Sequence, residues 1–448
     1  LGKSALAATT TGSYNSSVGS SSLTTNTTGA SNTAIGYAAL DANTTASYNT
    51  AVGFDSLGAN TTGNHNVAVG YAAADANTTG SHITAVGSYA VSSNTTGQHN
   101  TGVGYYALNE NTSGTHNTGV GQSALRFTTT GKYNTAVGFD CLSANTTASY
   151  NSALGYQSLY TSTTGAYSTA VGYQSLYAAT TGGYNTAIGT WSMVKCTTGS
   201  NNTAIGYATL EELTTGFYNV ALGLGALDDV TTASNNTAVG TYALPNDTTG
   251  EDNTAVGYFS MHDVSTGSYN TAIGRQSGDE ITTGSYNICV GYRSGDYNTV
   301  LTTGERNVLI GAFANSSDSD ADYEIAIGYN ATGKGNETLM VGNVTNGVYN
   351  STNHLDWDTT SDRRIKKNIV DNNTGLDILN QIQVRNFEYR TEDEIVDFDN
   401  PKSAVIEEEG QQLGVIAQEI EEVLPEVVNT LPSGMKTVNA SNLTWYLI

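Results

Sequence analysis

Four histidines occupy one position of a repeating pattern: His65, His82, His99 and His116 stand 17 residues apart. If successive repeats stack at the spacing of paired strands, their imidazoles lie about 5 Å apart, a row that could hold a soft divalent metal. Tyr48, Tyr133, Tyr150 and Tyr167 fill the same position on other repeats. The better reading is therefore an aromatic stacking column, and no metal is expected. A second aromatic column holds Tyr37, Phe54, Tyr71, Tyr105, Phe139, Tyr156, Tyr173 and Tyr207. Facing outward, Tyr37, Tyr71, Tyr105, Tyr156 and Tyr173 would stack on sugar rings; lying between chains, they would be core. Asp140, Asp228 and Asp229 are scattered rather than paired across repeats, so a glycoside-hydrolase carboxylate pair is not indicated. Neither activity on an external substrate nor a cofactor is expected.

The elements that must position these columns are set by glycine. From Gly19 and Gly36 to Gly274 and Gly291, a glycine recurs every 17 residues without a slip. Such strict self-similarity means stacked, nearly identical turns rather than a globular core. A turn reads approximately Asn-Thr-Ala-Val-Gly-Tyr-x-Ala-Leu-x-x-x-Thr-Thr-Gly-x-Tyr. Before each marker glycine stands an aliphatic residue such as Val18, Ile35 or Leu154, itself preceded by a small one. Both columns are expected inside. Alternation around Val-Gly and around Ala-Leu predicts two strands of four to five residues per turn. The Thr-Thr-Gly segment predicts a corner, Gly29, Gly63, Gly80 and Gly97 tolerating positive φ. An asparagine column (Asn15, Asn32, Asn49, Asn66, Asn100 onward), broken at Ile83 and Ser168, predicts amide hydrogen bonds along the axis. Three extra residues precede Gly311, a regular step leads to Gly328 and a shorter one to Gly342, so a cap is expected there. Each turn buries only a thin wedge of small side chains. Several chains, three by preference, are therefore expected to pack their inner strands together.

Composition narrows the partners. Charged residues are 12% of the chain, against about 25% in a typical soluble domain, yet 40 acids face 16 bases for a net −24. With no basic stripe to displace counterions, nucleic acid is not expected, and an anionic membrane would repel the rod. No run of about 20 apolar residues exists, so no membrane insertion is expected. Cys141 and Cys289 fall in small-residue slots and read as buried stand-ins for Ala or Ser, whereas Cys196 reads as lying in a variable loop. No disulfide is expected. The chain starts at Leu1 with neither Met nor a signal peptide, which reads as a processed or partial product.

The repeat predicts a shaft over residues 1–345, a linker over 346–360 and a second domain over 361–448. That last segment holds 8 of the 16 basic and 16 of the 40 acidic residues. Helical spacing covers Thr374 to Ile382, strand alternation Val384 to Tyr389, and an amphipathic helix Val415 to Leu424, ended by Pro425.

Two motifs in this domain are informative: Ser361-Asp362-Arg363-Arg364-Ile365-Lys366-Lys367-Asn368-Ile369, then Leu413-Gly414-Val415-Ile416-Ala417-Gln418-Glu419-Ile420 with Leu424-Pro425-Glu426-Val427. Together they closely resemble the C-terminal intramolecular chaperone of endosialidase-type phage tail spikes, the peptidase S74 family. The 17-residue turns resemble repeats of phage tail fibres and, more loosely, trimeric autotransporter adhesin heads. What the resemblance implies is a trimerising chaperone that holds three chains in register and then cuts the chain between Ser361 and Asp362. By the family pattern Ser361 supplies the hydroxyl and Lys366 its base, a single-turnover self-cleaving serine endopeptidase. A lysine can take that proton only if desolvation or nearby cations lower its pKa, and Arg363, Arg364 and Lys367 are such cations. Without the second motif, Ser361 or Asp362 as the cap of a short basic helix is the better reading. The family continues into a long C-terminal helix, and here Leu443 to Ile448 would begin it.

The expected whole is an all-β repeat solenoid, a trimeric β-roll or β-helix shaft, followed by a small α+β chaperone domain. It reads as an extracellular virion tail fibre or spike, a homotrimer joined at its N-terminal end to other tail proteins. Its partner would be a host cell-surface receptor, a glycan being one candidate. A bacterial trimeric surface adhesin with a retained C-terminal cap is the alternative. An ice-binding solenoid is disfavoured, because adjacent threonines such as Thr44 and Thr45 would point to opposite faces of a strand.

Overall fold

The computed structural model describes residues 2–343, 345, 347–351, 375–391, 394, 410–430 and 434–439. The chain divides into two compact units, Leu1–Thr359 and Thr360–Ile448.

The first unit is a parallel β-solenoid. Nineteen three-residue strands, β1 (Ser16–Val18) to β19 (Ile325–Ile327), pair in parallel, each with the next turn. Through β17 (Ile288–Val290) the register advances 17 residues per turn, as in Thr33 on Thr50 and Ile35 on Val52. Each turn thus carries one short strand, not the two longer ones expected. The Ala-Leu segment is not extended. Ala38 and Leu40 hold φ of 54° and 53°, the left-handed region, on either side of Ala39. Non-glycine residues seldom sit there. Hydrogen bonds hold them: Ala38 N–H donates to Ser20 O of the turn before at 3.0 Å, and Leu40 N–H to Ser56 O of the turn after at 3.1 Å. Alternate residues therefore bond in opposite directions along the axis, and that alternation imitates a strand in the sequence.

Only one small column of each strand is inside. In Thr33–Ile35 the middle Ala34 is fully buried while Ile35 is 43% exposed. The middle residue is buried in all nineteen strands. The aliphatic column expected inside therefore faces outward. The space opposite the alanines is taken by the leucine column of the same turns (Leu23, Leu40, Leu57, Leu108, Leu142), buried to 0% exposure. A Cβ on Gly102, which replaces the alanine in its turn, would come within 2.6 Å of Val91 Cγ2 from the leucine column. The cavity accepts alanine and leucine but not two large residues.

The corner also differs from expectation. Gly29, Gly63, Gly80 and Gly97 do not have positive φ; the residues two later do, as in Tyr48 (61°) and His65 (57°). This explains why Ala46 can stand in the glycine slot. Cys196 lies outside any strand yet is buried, as are Cys141 and Cys289, and all three are free thiols.

Past β17 the regularity yields. Strand β18 (Val308–Ile310) pairs Val308 with Ile288 across the longer turn, and β20 (Thr338–Val341) pairs Leu339 with Ile325 across the shorter one. The parallel ladder ends on β21 (Val348–Ser351), which runs antiparallel to β20.

The second unit has described elements α1 (Gly375–Leu379), β22 (Arg385–Phe387), β23 (Gln412–Gly414), α2 (Ala417–Val423), one 3-10 turn (Pro425–Val427), β24 (Val428–Thr430) and β25 (Lys436–Val438). Strands β22 and β23 form one antiparallel pair, β24 and β25 another. Ile420, Leu424 and Val427 make a small core against Ile378, Ile382, Val415 and Val423. The proline after α2 stops it where the sequence predicts.

Candidate functional site

Two asparagine ladders hold the turns at fixed spacing. In the one anticipated from sequence, the backbone N–H of each residue donates to the amide oxygen one turn earlier: Asn32 to Asn15 Oδ1, and Asn49 to Asn32 Oδ1, both at 2.9 Å. The Asn49 amide nitrogen donates in turn to Gly63 O at 3.0 Å. A second ladder went unread: Asn43 Nδ2 donates to Asn26 Oδ1 at 2.8 Å and Asn77 Nδ2 to Asn60 Oδ1 at 2.8 Å. Its sequence signal is the Asn of each Asn-Thr-Thr segment, masked because Thr128, Ser162, Cys196, Leu213 and Asp247 replace it in later turns. Buried amides must be paired, and stacking pairs them only when neighbouring turns are in register.

At the end of the first ladder stands Glu324, fully buried in an asparagine slot. Its carboxylate accepts Ser317 N–H at 2.8 Å and Gly335 N–H at 2.6 Å. A Cβ on Gly333 would meet that carboxylate at 2.3 Å. Glu324 thus ties together the two loops that close the rod, a role the sequence did not signal.

Both aromatic columns lie on the outside. Tyr37 is 54% exposed, and Tyr71, Tyr105, Tyr156 and Tyr173 are exposed as well. Their rings stack on one another: Tyr37 and Phe54 at 5.3 Å and 14°, Phe54 and Tyr71 at 5.1 Å and 8°, Tyr156 and Tyr173 at 5.2 Å and 7°. The run is broken at Tyr71, which meets Tyr89 edge-on. Within a run the ring faces are turned to each other and the edges to solvent, which leaves few open faces for a sugar ring.

His65, His82, His99 and His116 form one exposed stack with ring separations of 4.7 to 5.2 Å. In-plane lone pairs of nearly parallel rings do not converge on one ion. Among the described residues no group of three or more His, Cys, Asp or Glu gathers as a metal site.

Next to the Tyr37 column runs the outward aliphatic one, with Leu154 50% exposed and Ile188 and Ile273 also exposed. None of the nineteen strands contains a charged residue. A face of this length without one charge, on a chain of net −24, is of the kind that marks an interaction surface.

In the second unit Arg385 binds Glu419 through both Nε and a terminal nitrogen, at 3.1 and 3.0 Å, so that β22 is tied to α2. Lys436 of β25 pairs with Glu421 of α2. Ser361 and Lys366 lie outside the described residues. No helix among the described residues is long and apolar enough to cross a membrane.

Residues 361–429 match the peptidase S74 family, chaperone of endosialidase. This segment is a chaperone-of-endosialidase domain. The chaperone domain follows a solenoid of about nineteen turns, a pairing consistent with a protein of the tail fibre or tail spike kind. Its family is associated with trimeric assembly and with phage tails. No curated protein sequence matches the chain.

Proposed function

We propose that this protein is the shaft of a trimeric virion fibre or spike that attaches to a host surface, its three chains set in register by the C-terminal chaperone domain. The observation that carries this reading is the match of residues 361–429 to the chaperone family immediately after the repeat rod. The need for such a domain is physical. Nearly interchangeable turns can pair one step out of register at little cost, and non-local pairing is slow. A trimeric template at one end removes the ambiguity. The charge-free outward aliphatic column supports three-chain packing, because it would otherwise leave a long apolar stripe in water.

Cleavage between Ser361 and Asp362, with Ser361 as nucleophile and Lys366 as its base, would detach the template after assembly and make the fold kinetically irreversible. Intact-mass measurement of the full-length natural product beside its Ser361→Ala counterpart tests this. The expected result is a fragment ending at Ser361 in the first and only uncut chain in the second. Two uncut products that both form trimers would make the chaperone domain a permanent cap instead.

A further inference from the structure

The acidity of the rod is uneven. Residues 76–139 hold a single acid, Glu110, and two bases, Arg126 and Lys132, and they include three of the four stacked histidines. The stack is continuous and ordered. His65 and His82 lie 5.2 Å apart at 1°, His82 and His99 4.8 Å at 4°, and His99 and His116 4.7 Å at 21°. Tyr48 closes one end and Tyr133 the other, each 4.8 Å from its histidine. The main chain holds the column: His82 N–H donates to Asn64 O, His99 to Ser81 O and His116 to Gln98 O, at 3.0 to 3.1 Å. No ring nitrogen of the four bonds another protein group, and all four side chains are exposed. The flanking column is neutral (Asn64, Ser81, Gln98, Thr115), and Lys132 continues it beside Tyr133. Asp75 and Glu110 stand in the loop that follows the strand, five and six residues past the marker glycine, not in the stack.

We propose that the His65 to His116 column is a binding strip for a linear acidic polysaccharide, whose carboxylates recur along the chain as the imidazoles recur along the rod. The proposal rests on the reading of the rod as an attachment shaft. Protonated, the strip is a row of cations at the turn spacing, most of it on a stretch with one acid and two bases. Bare, such a row resists full protonation because each imidazolium repels its neighbours; burial, His116 and His82 all hold His99 below the ordinary histidine range. A polyanion laid along it relieves that repulsion. Binding and proton uptake are therefore linked, and each strengthens the other.

The natural sequence supplies a variant that keeps the fold, since tyrosine fills this position at Tyr133, Tyr150 and Tyr167. Titration calorimetry of the full chain with polygalacturonate, at about pH 5.5 and about pH 7.5 in low salt, spans the histidine range. Dextran serves as the neutral control. The wild type is expected to bind polygalacturonate at least about tenfold more tightly at the lower pH, with proton uptake, and not to bind dextran. The His82→Tyr/His99→Tyr variant should lose that pH response. Absence of binding at the lower pH, or an unchanged pH response in the variant, overturns the proposal. Intact masses of the same preparations report the chaperone step separately, so failure of the strip and failure of the fibre reading are distinguishable.

Discussion

A Cβ placed on Gly53 would lie 2.1 Å from the carbonyl oxygen of Gly70, and Gly53 holds φ at +141°. The marker glycine is therefore required twice over, by its own backbone and by the turn stacked on it. The same approach recurs at Gly155 against Gly172, at 2.3 Å with φ at +134°.

Replacing Gly53 with alanine should cost about 3 kcal/mol or more, since that backbone region is essentially closed to side chains. The loss should stay local, because each turn contacts only its neighbours. Hydrogen exchange is expected to quicken in the turns around Gly53 and Gly70 and not around Gly257. Uniform quickening along the rod would contradict this.

Asp247 gives the rod a dependence on pH. It is fully buried in the second asparagine column, where Val230 and Val264 hold the same position one turn to either side. Gly250 N–H donates to its Oδ1 at 2.6 Å, but burial pushes the carboxyl up to about 7 from 3.8. Between those values the native state holds a proton that the unfolded state has lost. Stability contributed by this group is thus fully present below about pH 4, falls as pH rises towards 7, and is level above. Asp247→Asn should remove that slope and stabilise the rod at pH 8 by on the order of 4 kcal/mol at most, read as a higher urea midpoint. Equal midpoints for both proteins at pH 8 would show that the buried carboxyl is not strained.

The outward aliphatic column offers a test of three-chain packing. Leu154 and Ile188 are exposed in the single chain, so charging them should cost the solenoid itself within about 0.5 kcal/mol. In the Leu154→Lys/Ile188→Lys variant, light scattering is expected to fall from the mass of three chains to that of one, with an unchanged circular dichroism spectrum. A variant that stays three chains in mass would place the contact on another face.

The two units were unequally legible. The 17-residue period was open to reading because the marker glycine holds positive φ at every turn, a backbone that side chains do not adopt. The first asparagine ladder was legible for a similar reason, and the chaperone motif through its own residues. The second strand per turn was a misreading with a definite cause. Ala38 and Leu40 adopt left-handed backbone that their types do not favour, and only hydrogen bonds to neighbouring turns impose it. No local pattern carries that information. Nothing in the local sequence of Glu324 or Asp247 signals burial, and the stack places both in asparagine slots.

By itself the sequence determined the repeat, the place where regularity ends and the kind of domain that follows. Each of these depends on contacts between residues a fixed number of positions apart. Which face of the strand lies inside was decided only by the tertiary structure. Alternation separates Ala34 from Ile35 but does not say which one faces the core. That choice depends on volume: Leu40 and its column already fill the space, so the smaller residue goes in and the larger one is left for a partner.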